Sequence, residues 1–155
     1  MGAAILLQSL KVESRFCAVA AESSFSSFRD IAFYRIGYQL GGGEWLGRLV
    51  LRPIVEAGLL YGRLRYGVNL SDAQPVECVA GTSTPILLIH GRADDNIPLR
   101  DSETIYSKAR ANSFLWKVRG AHHTGAMSVA PAEFERRVID FFGEAASDRS
   151  TKYGK

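Results

Sequence analysis

Two short stretches of this chain hold the residue types that acid–base chemistry needs. "HGRADDNIP" (His90–Pro98) follows the aliphatic run "PILLI", and "GAHHTGA" (Gly120–Ala126) follows "SFLWKVR". An acid in the first loop and a histidine in the second suit a carboxylate–imidazole pair. In such a pair the carboxylate fixes the ring's tautomer and stabilises its charged form while the ring moves protons. Asp94 and His123 are the candidates, with Asp95 and His122 beside them in the same loops. By residue type alone Asp94 equally suits a turn whose carboxylate caps the following segment. His90, at the end of its aliphatic run, reads as structural support for the loop. Adjacent histidines point in different directions, and no third or fourth ligand is spaced to join His122 and His123, so the pair does not read as a metal site. No residue pattern calls for a cofactor. Cys17 and Cys78 lack CxxC or Cys/His spacing, and Cys17, within "FCAVAA", reads as a buried small hydrophobe.

Loops of this kind sit at the carboxyl ends of parallel strands, so the runs before them must be strands. "PILLIHG" and "SFLWKV" fit, as continuous or nearly continuous apolar runs, and so does "FCAVAA" (Phe16–Ala21), which ends in a Ser-rich loop. Ser23, Ser24, Ser26 and Ser27 in that loop read as loop residues, with Ser26 or Ser27 capping the helix that follows. Between and after the strands the periodicity turns helical. Phe28 to Leu40 is one helix, broken by "GGG" at Gly41–Gly43. A second runs from Glu44 to about Tyr66, with Pro53 starting or kinking a segment. This aromatic-rich block, residues 28–68, is too long for a simple connection and reads as a helical insertion. "DSETIYSKARA" is a polar-faced helix. "PAEFERRVIDFFGEA" is the closing one, starting at Pro131 with Phe134, Val138, Phe141 and Phe142 at core spacing. The polar stretch "SDRSTKYGK", within residues 146–155, reads as a frayed tail. The alternation of strand and helix predicts an α/β class with about three parallel strands.

The first residues are unusual. Ala3, Leu6, Leu7 and Leu10 already follow helical spacing, and no Ser, Thr, Asp or Asn cap precedes them. Composition bounds the rest: 155 residues, 46% hydrophobic and 23% charged, describe a soluble globular chain with room for a core. The formal charge of +3 is spread along the chain, which argues against nucleic acid. "YGRLRYG" (Tyr61–Gly67) reads as a solvated helix end rather than a phosphate-binding patch. Gln8, Lys11, Glu13 and Arg15 interrupt the opening apolar run too early for a signal peptide. No segment reaches the ~18 apolar residues of a membrane span, and the expected location is cytoplasmic.

The string HG-x-x-D-x-x-I-P, then a strand, then G-A-x-H, then a closing helix with "FERRVIDFF", resembles the α/β-hydrolase superfamily, in particular its serine esterase and peptidase-like branch. The resemblance covers about Met1 to Ala145 and implies the C-terminal part of one such domain, with residues 28–68 in the position of the cap or lid. It implies Asp94 as triad acid and His123 as triad base. His122 stands where the family more often has Gly. In the family's order of Ser, then acid, then His, the nucleophile sits in a G-x-S-x-G elbow. "MGAA" matches the end of that elbow, so the resemblance places the serine immediately before Met1 and makes Met1 an oxyanion position. The chain as given then contains no nucleophile. The activity implied is hydrolysis of a small-molecule ester, thioester or amide through an acyl-enzyme, the 155-residue chain being inactive alone. A second reading is a non-catalytic scaffold or binding fragment. Its first strand would lack a neighbour, leaving an edge open to a partner or to self-association.

Overall fold

The computed structural model describes residues 1–109 and 113–153. Its centre is β2 (Ile86–Gly91), in which every residue is buried, as expected for an aliphatic strand covered on both faces. β1 (Val19–Glu22) and β3 (Ser113–Val118) flank it in a three-stranded parallel sheet of order β1-β2-β3. Val19 lies opposite Ile86, and Ile86 opposite Ser113, so the three carboxyl ends come out along one rim.

Helices cover both faces. On one, Leu7 of α1 (Gly2–Ser9) and Ile105 of α6 (Leu99–Ala109) close over Val19, Ala21, Ile86 and Leu88. On the other, Phe141 of α8 (Pro131–Tyr153) packs with Leu87, Ile89, Trp116 and Val118. Truncating one such leucine to alanine would cost about 2–5 kcal/mol.

The connection from β1 to β2 is helical. α2 (Phe28–Gln39) starts at Ser27, one of the two caps the sequence offers, whose hydroxyl accepts from the Asp30 N–H at 3.4 Å. A single turn, α3 (Gly43–Trp45), leads into a π-helical turn at Leu46–Val50. Next come α4 (Arg52–Tyr66), a 3-10 turn at Leu70–Asp72 and α5 (Pro75–Cys78). The helical stretch expected from Glu44 to Tyr66 breaks at Leu51 and, as expected of Pro53, a new segment starts there, with the proline in the first turn of α4 where its missing N–H is harmless. The π-helical turn lies against α2 backbone to backbone. A methyl group on Gly47 would overlap the Phe33 carbonyl, and one on Gly37 the Gly43 carbonyl.

Three further expectations change. The first strand begins at Val19 rather than Phe16, so Cys17 falls in a bend before it and is exposed, not buried. α8 continues to Tyr153 through the stretch expected to fray. Phe134 and Val138 pack beside Phe141, whereas Phe142 is turned outward. Arg110 and Ala111, expected in the helix now labelled α6, lie outside the described residues, as do Gly154 and Lys155 of the tail. A short α7 (Ala126–Val129) bridges the last loop to α8.

Candidate functional site

Both loops sit at the carboxyl rim and are tied to each other through backbone. The Arg92 N–H donates to the Val118 carbonyl at 2.8 Å and the Ala93 N–H to the Ala121 carbonyl at 3.0 Å. Gly91 makes this approach possible: a β-carbon there would run into the Ala121 and His122 carbonyl oxygens.

The zipper brings Asp94 to His123. Asp94 Oδ2 lies 3.0 Å from His123 Nδ1, and Oδ1 accepts from the backbone N–H groups of Asn96 and Ile97, both at 2.9 Å. One oxygen therefore caps the turn, and the other orients the imidazole. The Asp94 side chain is fully buried, whereas that of His123 is 32% exposed. With Nδ1–H donating to the carboxylate, the lone pair of the neutral ring sits on Nε2, which has no hydrogen-bond partner among the described residues. Burial pushes the Asp94 carboxyl upward, but the Ile97 N–H, the His123 ring and the Ser23 hydroxyl together outweigh it and hold the group below the usual carboxylate range.

β1 supplies the third wall, from two residues of different visibility in the sequence. Ser23, buried and with φ of 51°, donates to Asp94 and accepts from the Thr124 N–H at 3.4 Å. Thr124 has φ of 53°. These are the two positive-φ residues other than glycine among the described residues, and they meet beside the imidazole, where such strain commonly marks a functional site. Glu22 Oε1 accepts the Ala126 N–H at 2.9 Å, pinning the start of α7 just after the His123 loop. The sequence reading passes over Glu22, although its place at the carboxyl end of a predicted strand is the signal that singles out Asp94.

The alternatives separate by geometry. Asp95 and His122 are exposed and have no side-chain hydrogen bond among the described residues. His90 is wholly buried: Nε2 donates to the Ile97 carbonyl at 2.9 Å and Nδ1 faces the Ser102 hydroxyl at 2.6 Å, a structural arrangement that stiffens the acid loop. The remaining serines are engaged elsewhere. Ser24 donates to the Phe25 carbonyl, Ser26 to Asp101 at 2.5 Å, and Ser27 caps α2. Met1 is exposed at the start of α1, its carbonyl accepting from Ala4 and Ile5, and no hydrogen bond joins it to Asp94 or His123. Packing nonetheless brings the first turn of α1 toward the rim. Ala4 is buried with Phe25 and Ile31, against which Ile97 of the acid loop also rests. No three His, Cys, Asp or Glu side chains converge as a metal site among the described residues.

No family model matches this chain. Solved structures do. An esterase of Pyrococcus furiosus, Pf2001, superposes with a TM-score of 0.63 at 21% identity over 92% of this chain and 49% of its own. MGS-MChE2, an α/β-hydrolase enzyme from a lagoon-sediment metagenome, gives 0.58 at 18% identity, covering 92% of this chain and 57% of that one. The fold is that of the α/β-hydrolases, in part. An acylaminoacyl peptidase of Pyrococcus horikoshii also shares it, with a TM-score of 0.57 at 19% identity over 92% of this chain and 21% of the peptidase. Among curated sequences, YqkD of Bacillus subtilis (strain 168) is 22% identical over 121 residues, 78% of this chain and 37% of that protein. The chain thus spans about half the length of the Pf2001 esterase it resembles in structure and little more than a third of YqkD.

Proposed function

We propose that this chain carries the acid–base half of a serine hydrolase of the esterase or peptidase-like kind, which cleaves ester, thioester or amide bonds through an acyl-enzyme. The observation that carries the reading is the 3.0 Å contact from His123 Nδ1 to a fully buried Asp94 carboxylate. In this mechanism His123 Nε2 takes the proton of an attacking serine hydroxyl, then returns it to the leaving group. Asp94 holds the ring in that tautomer and stabilises the imidazolium in between. Ser23 and Glu22 act as positioning residues for Asp94 and for the His123 loop. The serine comes from polypeptide preceding Met1 in a longer chain, with the Met1 N–H serving the oxyanion there and residues 28–68 forming the cap. The 155 residues alone are expected to turn over no ester.

The test is to express the chain together with the in-frame segment encoded upstream and treat it with a fluorophosphonate probe. Labelling of a serine directly before Met1, reduced in His123→Ala, is the expected result. Labelling that ignores His123 would overturn the assignment.

The β1 edge supports a second reading, a binding fragment. Because the Val19 and Ser23 N–H groups donate to Pro85 and Ile89, strand alternation turns those of Ala20 and Glu22 to the outer edge. Among the described residues no strand pairs there, and a partner strand would be accommodated.

A further inference from the structure

Asp94 Oδ2 has a second imidazole beside it. His123 Nδ1 reaches this oxygen from the partly exposed rim at 3.0 Å, and His90 Nε2 lies 3.5 Å from the same atom, with the His90 and Asp94 side chains both fully buried. Asp94 is the one charged group in ion-pair range of His90 among the described residues. The surroundings of His90 leave its neutral ring a single tautomer. The Ile97 carbonyl, 2.9 Å from Nε2, can only accept, so Nε2 carries the hydrogen and Nδ1 the lone pair. Ser102 then donates to Nδ1 across their 2.6 Å contact. Its helix shows that this hydroxyl is set apart for the ring. Thr104 and Ser107 of α6 donate to carbonyls of their own helix, whereas Ser102 makes its one hydrogen bond among the described residues to His90. His90 and Ser102 are both wholly buried by the residues described here, so nothing outside them is needed to build the arrangement.

We infer that His90 is a positioning residue for Asp94, and that Ser102 locks the tautomer in which it works. The inference rests on the hydrolase reading and adds to it the groups that hold Asp94 Oδ2 ready for His123. The Nε2–H of His90, bonded to Ile97, keeps the positive end of its dipole beside Oδ2 in a buried setting where such dipoles act strongly. That favours the ionised carboxylate, so a proton taken from the nucleophile stays on His123 rather than passing to Asp94. The other tautomer would set a lone pair against both the Ile97 carbonyl and the carboxylate, three acceptors with no hydrogen between them. Ser102 thus stands to His90 as Asp94 stands to His123: each fixes where the next ring carries its proton.

The experiment follows the imidazole nitrogens by long-range proton–nitrogen NMR in the 155-residue chain, which needs no turnover. His90 is expected with its proton on Nε2, and a proton on Nδ1 alone would overturn the inference. In Ser102→Ala, with circular dichroism unchanged, His90 should lose that single tautomer. His123 should then titrate at higher pH, because Oδ2 has less of the His90 N–H beside it and holds the imidazolium more tightly. A His123 titration that does not move would overturn the inference as well. The kinetic arm uses the chain extended through its upstream reading frame. There Ser102→Ala should lower kcat by about tenfold with KM unchanged and move the acid limb of the pH profile the same way. His90→Gln, whose amide nitrogen lies as many bonds from Cα as Nε2 does, should keep more activity than His90→Leu. Equal losses in the two would reduce His90 to packing and overturn its positioning role. An extended parent chain without turnover, the NMR result being as expected, would sink the hydrolase reading alone and leave the Ser102–His90–Asp94 arrangement standing.

Discussion

Asp94 does two things with its two oxygens, and its neighbours fix the order of events in acid. Its carboxyl is held below the ordinary value of about 4. The stability it contributes is therefore complete above that value and is lost as pH falls through the lower, folded-state one. Urea unfolding of Asp94→Asn should show a deficit of ~1–3 kcal/mol at neutral pH that closes in acid. A deficit independent of pH would mean that the charge itself plays no part. Glu22→Ala should cost a similar ~1–3 kcal/mol, because it strands the buried N–H of Ala126. Asp94 and His123 could be picked out from the sequence because each follows an apolar run that had to be a strand. Choosing between Asp94 and Asp95, or His123 and His122, needed the direction of each side chain, which spacing along one loop does not encode. Glu22 was hidden for another reason: its partner is a backbone N–H far along the chain, and backbone groups leave no mark in a sequence.

At the scale of elements, glycines set how closely the pieces approach. Gly91→Ala forces the acid and histidine loops apart and should lower stability by about 1–3 kcal/mol, visible as a reduced thermal midpoint. Gly47→Ala should do the same by separating the π-helical turn from α2, but without disturbing the Asp94–His123 contact, which imidazole NMR shifts would report. β3 was readable to the residue and β2 to within one, from their aliphatic and aromatic runs. The segment start at α4 was readable from Pro53, but the π-helical turn before it was not, because it answers to the Gly37–Gly47 contact, a tertiary event. Cys17 misled because the apolar run extends three residues, Phe16 to Ala18, ahead of the strand that pairs with β2. The tail misled because a polar composition does not by itself tell a helix from a frayed end.

Among the described residues the molecule is built on a three-stranded parallel sheet whose carboxyl rim carries Asp94 and His123 and whose outer strands, β1 and β3, each have one open edge. The β1 edge should make the chain self-associate. Ala20→Pro, which removes an outward N–H without touching the β2 ladder, should slow light-scattering growth, whereas equal growth would place the contact elsewhere. The solved structures that share its fold are all longer, this chain covering 49%, 57% and 21% of them. The proposed serine-hydrolase reading puts its nucleophile in polypeptide outside these residues. Its most direct test is the hydrolysis rate of p-nitrophenyl acetate by the chain extended through its upstream reading frame, compared with the same protein carrying His123→Ala. Turnover that falls by about 10³-fold or more in the variant is expected. A rate that His123→Ala leaves unchanged would contradict it.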